Sequence, residues 1–220
     1  MFSFSTCKKE NKEIVSESFN YFPSNVGHEL IYDVDSIVKD DFDNSTDTFQ
    51  FQIKEIIESV FTDIEGRPTL RIERYKRTNS SQAWIIHKVW TANVNSFNAE
   101  KKEDNITYVK LIFPSKLNKT WNGNSKNCLG EELYEITSLN DPDVQNNLVF
   151  DSTLNVLHSD EDDHFYRKDY AVEKYANGIG LYYKIDFRGY YKGDPYPYPT
   201  LYDSLENYIY YSEKLISFNN

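Results

Sequence analysis

Along most of this chain apolar and polar residues alternate one by one. The clearest run is Leu181-Tyr-Tyr-Lys-Ile-Asp-Phe187, with Leu181, Tyr183, Ile185 and Phe187 on one side and Tyr182, Lys184, Asp186 and Arg188 on the other. Successive side chains of a strand point to opposite faces, so this alternation predicts a half-buried strand. Asn177-Gly178, just before it, supplies two residues that tolerate positive φ, as a tight hairpin turn demands, and Gly180 adds a second flexible point. The same period recurs upstream. Leu30, Tyr32 and Val34 alternate with Ile31, Asp33 and Asp35; Phe49, Phe51, Ile53, Ile57 and Phe61 share a phase interrupted by Glu55. Leu70 and Ile72 follow the Glu65-Gly-Arg-Pro68 turn.

The segment around Trp84, Ile86 and Trp90 is apolar on both sides, which predicts a central or covered strand with both tryptophans in the core. Val109, Leu111 and Phe113 form a fifth run that stops at Pro114. Glu131 to Thr137, Asn147 to His158, the segment before Tyr175, and Tyr208 to Phe218 complete the series, the last being open between strand and short helix. The fold class this predicts is mainly β: an antiparallel sheet of roughly ten strands rolled into a barrel or half-barrel, its concave face lined by in-phase aromatics.

Composition sharpens the picture. Aromatics are 16% of the 220 residues, with Tyr 18 and Phe 14 against Gly 8, a bias toward pleated surfaces. The net charge is −11, with no basic stripe, which argues against nucleic acid as a partner. No apolar run approaches the roughly 20 residues of a membrane-spanning helix. Two cysteines, Cys7 and Cys128, are too few for a disulfide scaffold, although they could pair with each other.

The start, Met1-Phe-Ser-Phe-Ser-Thr-Cys7, turns abruptly polar at Lys8. It resembles the end of a bacterial lipoprotein signal peptide, in which such a Cys is lipidated. It is shorter than a complete signal, which needs a basic start and an apolar region of roughly 7–15 residues. Residues 1–20 therefore read as a signal remnant, a lipidation site at Cys7 and a flexible tether, with a single antiparallel β domain over 21–220. Two phrases, Tyr21-Phe-Pro-Ser-Asn-Val-Gly27 and Glu173-Lys-Tyr-Ala-Asn-Gly-Ile-Gly180, are similar to phrases in uncharacterised β-rich cell-envelope lipoproteins of Gram-negative bacteria. That resemblance spans most of residues 21–190. It implies an envelope location and carries no assigned activity, cofactor or functional residue.

Candidate chemistry is sparse. His158-Ser-Asp-Glu-Asp-Asp-His164 gathers two His and four carboxylates, a composition shared by metal sites and solvated hairpin tips. Asp41 to Asp47 imitates half a calcium loop but has Thr46 where Gly is needed and Gln52 where the closing acid belongs. No nucleophile elbow or phosphate loop occurs, so neither catalytic residues, metal nor cofactor are assigned. The better lead is aromatic: Trp121 in the aperiodic stretch from Lys116 to Gly130, and Tyr196, Tyr198 and Tyr202 in a Pro-rich loop. These rings offer stacking surfaces to a ligand, or form a lid over the barrel end. The expectation is a non-catalytic envelope lipoprotein, anchored to the membrane by its N-terminal lipid, that accepts an apolar or amphipathic small molecule in a concave sheet. The alternatives are a surface protein that contacts envelope components through aromatic loops, or a hydrolase with unrecognised acids.

Overall fold

A computed structural model describes residues 19–43, 45–193 and 201–219. Twelve strands run β1 (Glu29–Lys39), β2 (Thr46–Thr62), β3 (Pro68–Arg77), β4 (Ile85–Val94), β5 (Asn98–Glu103), β6 (Ile106–Ile112), β7 (Thr120–Asn122), β8 (Leu133–Gln145), β9 (Leu148–Asp162), β10 (Arg167–Ala176), β11 (Gly180–Tyr191) and β12 (Leu205–Asn219). One short helix, α1 (Leu201–Ser204), precedes β12. The order in the sheet is β6-β5-β4-β3-β2-β1-β12-β11-β10-β9-β8-β7, antiparallel at every pairing. The mainly β, rolled-sheet expectation therefore holds, and the ambiguous C-terminal segment is a strand beside β1.

The two strands that the periodicity missed are β5 and β7. β5 reads Asn-Ala-Glu-Lys-Lys-Glu and looks like a polar connection because two of its charged side chains, Lys101 and Glu103, face inward. The Asp104-Asn105 turn that follows, both residues at positive φ (48° and 70°), is the local hairpin signal. β7 is only three residues long.

The sheet curls until its edge strands meet. Val109 N–H of β6 donates to Gly123 O just past β7 (2.9 Å), and Trp121 Nε1–H donates to Val109 O (2.8 Å). Asn127 Nδ2 donates to Thr107 O (2.9 Å). These bonds nearly close the barrel and leave fewer raw edges to pair with other chains. At Gly123 the backbone lies so close to Tyr134 that an added Cβ would stand 2.3 Å from the ring.

One end of the barrel is stopped by the chain that leads into β1. Phe19 packs edge-on against Phe113 (centroids 4.7 Å apart), and Tyr21, 1% exposed, hydrogen-bonds to Asn140 Oδ1 at 2.8 Å. Phe22 wedges between two core clusters. Gly178 N–H donates to Asn20 O (2.9 Å), and His28 Nε2 meets Ile179 O (2.9 Å). Gly180, at φ +94°, lies 3.2 Å by its ideal Cβ from Pro23. The two phrases singled out in the sequence thus pack against each other as plug and turn.

Two expectations about the core are corrected. Trp90 is buried under the Arg74 guanidinium (3.9 Å), but Trp84 lies before β4, half-buried against Arg77 (4.1 Å). β4 is not covered on both sides: Ile85, Ile86 and Val89 are exposed.

Gly123→Ala is expected to lower stability by about 1–3 kcal/mol, the usual range for overpacking, because the Tyr134 ring must move off the seam. Gly130→Ala, with open space at its Cβ, should change urea-unfolding stability by less than about 0.5 kcal/mol. Equal, small effects at both positions would show that the seam does not constrain Gly123.

Candidate functional site

Above the plug the barrel interior is charged. Two chains of ion pairs cross it. In the first, Lys101 Nζ lies 3.1 Å from Glu55, Glu55 meets Arg74 Nε at 2.9 Å, and Arg74 continues to Glu213. In the second, Glu103 meets Lys110 Nζ at 3.2 Å, Lys110 meets Glu173 at 2.8 Å, and Glu173 meets Lys184 at 3.5 Å. Each chain holds two acids and two bases, so the layer is neutral. The cost of desolvating such charges is recovered only where geometry and extra hydrogen bonds are good. Here Tyr175 OH donates to Glu173 Oε2 (2.5 Å) and Tyr211 OH to Glu213 Oε1 (2.6 Å).

Glu173 is the hub, its side chain 2% exposed. Its three basic neighbours, Lys110, Lys184 and His158, all point inward because of β-bulges. On β6, Glu100 pairs with Val109 and Ala99 with Leu111, which leaves Lys110 as the extra residue. On β9, Val172 pairs with Leu157 and Ala171 with Ser159, which leaves His158 extra. On β11, Tyr175 pairs with Leu181 and Lys174 with Tyr183, which leaves Tyr182 extra. A bulge inserts one unpaired residue and shifts the phase of everything beyond it. After Tyr182 the inward face is therefore Lys184, Asp186 and Arg188. The in-phase apolar face of the sequence reading, past Leu181, turns outward, where Phe187 packs with Leu205 and Tyr208.

The electrostatics follow from this crowding. Burial pushes the Glu173 carboxyl up, but Lys110, His158 and Lys184 together hold it well below the carboxylate range. Glu103, opposed by burial, is drawn down to about 2, chiefly by Lys110. Burial works against the charged forms of Lys110 and Lys184, yet their acids raise both. His158 goes the other way: burial, assisted by the two lysines, lowers it to about 4 against the pull of Glu173, its Nε2 3.6 Å from Glu173 Oε2. The imidazole stacks flat on Tyr134 (3.8 Å, 7°).

Three hollows adjoin this layer. Between plug and ionic layer lies a space of about 60 Å³ bounded by Phe22, Leu30, Ile57, Ile72 and the ion pairs. On the opposite side a mouth of about 470 Å³ is floored by Glu103, Lys110, Glu173 and Lys184 and walled by Tyr108, Leu129, Glu132, Tyr134 and His158. It runs on into a groove of about 650 Å³ along β8–β11, with which it shares residues including Glu132, His158, Ala171 and Asp186. Drug-sized ligands need roughly 300–1,000 Å³, so mouth and groove are large enough and the plug-side space is not.

The residues proposed from sequence are scattered. Trp121 sits at the seam, half-buried, edge-on to Tyr134 (5.9 Å). Tyr202, on α1, packs against Phe187 (6.3 Å) and Tyr208 (5.5 Å) in a separate cluster on the barrel's outer face. Tyr196, Tyr198 and Cys7 lie outside the described residues. Cys128 is exposed. His158 and His164 part company: the first is inside, the second is 77% exposed at the β9–β10 turn beside Asp162 (2.9 Å). Among the described residues no three His, Cys, Asp or Glu side chains converge as metal ligands. That Lys110, Glu173, His158 and Lys184 converge carried no sequence signal, because a bulge leaves none, although His158 and Glu173 each stood in a stretch singled out for another reason.

No family model matches the chain, and no curated protein matches it. Among solved structures, a crystal structure titled "a putative lipoprotein from Parabacteroides distasonis" follows a similar chain path at TM-score 0.40 and 10% identity, covering 90% of this chain and 98% of that one. That likeness shows neither a ligand nor an activity.

The His158 shift sets a pH dependence. Its folded pKa lies below the ordinary 6.5, so as pH falls the unfolded chain takes the proton first. Stability present at pH 7 is therefore lost between pH 6.5 and about 4, and this loss levels off once the folded imidazole also protonates. At about 1.4 kcal/mol per pH unit, the loss is on the order of 3 kcal/mol. His158→Phe, which keeps a ring on Tyr134, should flatten urea-unfolding stability between pH 6.5 and 4.5. Parallel curves for the two proteins would refute the assignment.

Proposed function

We propose that the protein is a non-catalytic envelope lipoprotein that binds an amphipathic small molecule in the mouth of its barrel. The observation that carries this is the mouth itself: a hollow of about 470 Å³ with a charged floor and walls of Tyr108, Tyr134 and Leu129. Such a lining suits a ligand with one polar end and one apolar end. A purely apolar ligand finds less support, since the hollow with the greasiest walls, beside the plug, offers about 60 Å³.

The ionic layer supports binding over catalysis. A general acid or base works best with a pKa near the operating pH. Here Glu103, Glu173 and Glu213 are driven down, Lys110 and Lys184 up and His158 to about 4, all away from neutrality. Cys128 is exposed and does not line the mouth. The layer reads as a rigid, pre-ordered floor.

Membrane attachment is proposed from the residues around Cys7, where a short stretch of Phe and small hydroxyl residues meets a polar tether. A single acyl chain anchors only marginally, at about 0.8 kcal/mol per buried methylene, and several chains on one Cys hold firmly. The tether would then reach the folded part at the plug end, with the mouth at the far end of the barrel. A second reading, an interaction protein, has the outer aromatic patch in its favour: Phe187, Tyr202 and Tyr208 stack together there, and Tyr166 meets Tyr190 at 5.4 Å.

Titrating the full chain with octylamine, octanoate and octyl glucoside by calorimetry should show one molecule of at least one compound bound per chain. Ala171→Phe, which projects a ring into both mouth and groove, should abolish that binding while keeping the β-type circular dichroism spectrum. No heat with any of the three would end the binding reading. In a Gram-negative host fed alkynyl palmitate, the chain should be labelled and Cys7→Ala should not.

A further inference from the structure

The groove differs from the ionic layer in one respect: its charges do not cancel. Seven carboxylates line it against two guanidiniums. Both guanidiniums are already engaged, Arg188 with Asp186 (3.1 Å) and Arg167 with Asp169. Glu131, Glu132, Glu135, Asp160 and Glu161 line the same groove, and none has a cation within ion-pair distance among the described residues.

A second observation is independent of that acid count. Asp169 is 5% exposed, and while its Oδ2 holds Arg167, its Oδ1 is buried without any hydrogen-bond partner. It stands on the groove wall between Arg188 on β11 and Glu161 on β9. Native proteins seldom leave a buried acceptor unpaired, because the loss is comparable to a hydrogen bond. Glu132 shows the matching deficit: half-buried, its carboxyl is pushed up by desolvation, and Arg188 corrects this only in part. Both groups have room for one more N–H donor, Asp169 at the Oδ1 that Arg167 does not reach and Glu132 beyond the long bond it accepts from Asn124 Nδ2 (3.4 Å).

We propose that the groove receives the cationic head of the amphipathic ligand, a primary or secondary ammonium on an apolar stem, and this rests on the mouth being the binding site. The ammonium supplies donors to Asp169 and Glu132, and the stem lies in the adjoining mouth against Tyr134 and Leu129. A bare divalent ion fits less well, since the carboxylates do not converge as ligands.

The octyl series separates the two ideas. Octylamine at pH 7 and low salt should bind the full chain at least roughly tenfold more tightly than octanoate or octyl glucoside, and the preference should shrink at high salt. Glu161→Gln, at an exposed position of the groove outside the mouth, should reduce octylamine affinity and leave octyl glucoside unchanged, and Glu132→Gln should reduce octylamine affinity more than that of octyl glucoside. If all three compounds bind equally, the mouth stands and the cationic head is overturned. If none binds, the head falls with the mouth. Tighter binding of a pentalysine peptide than of octylamine would assign the groove to a polypeptide and overturn the small-molecule ligand.

Discussion

A carboxylate buried inside a β-barrel is tolerable only if its charge is answered on the spot, and the architecture turns on how Glu173 is answered. An isolated ion in such a place would cost several kcal/mol or would give up its charge. Glu173 keeps its charge because Lys110, Lys184 and the Tyr175 hydroxyl all reach it. Lys110 comes from β6 and Glu173 from β10, so the pair spans the lumen and ties the two halves of the sheet together. The Arg74–Glu213 pair does the same from β3 to β12. Removing one partner of such a pair typically costs about 3–5 kcal/mol, since the other charge is then stranded. Neutral as a whole, the layer fixes the barrel's cross-section more than it deepens the energy well.

The layer also divides the interior. Toward the plug, apolar side chains fill the space almost completely: Tyr21, Tyr32, Ile53, Leu111, Ile136 and Leu154 are each 2% exposed or less. Toward the mouth the walls remain hollow and polar. The same ion pairs serve as ceiling to a packed core and floor to an open one. The hollow is therefore pre-formed, its floor held by bonds within the protein itself. In the groove beyond, carboxylates outnumber cationic side chains.

What the sequence by itself determined is the kind of object. Period-two alternation, aromatic richness and Asn/Gly turns sufficed for a rolled antiparallel sheet, because those signals are local and a strand reads them residue by residue. Ten of the twelve strands were visible this way. The phrases beginning at Tyr21 and Glu173 stood out as words, though not as a plug meeting a turn.

The tertiary structure alone decided which face is inside. Alternation gives two sets of side chains and no way to choose between them, and one unpaired residue exchanges the sets. At Tyr182 that exchange turns Lys184, Asp186 and Arg188 inward and sends Phe187 out, although the local sequence alternates without error. β5 escaped notice for the same reason, since Lys101 and Glu103 are interior residues that look like surface ones. Whether a charge can be buried depends on what stands across the lumen, 46 residues away for Lys101 and Glu55, 63 for Lys110 and Glu173 and 139 for Arg74 and Glu213, and that is a property of the closed barrel rather than of any stretch of chain.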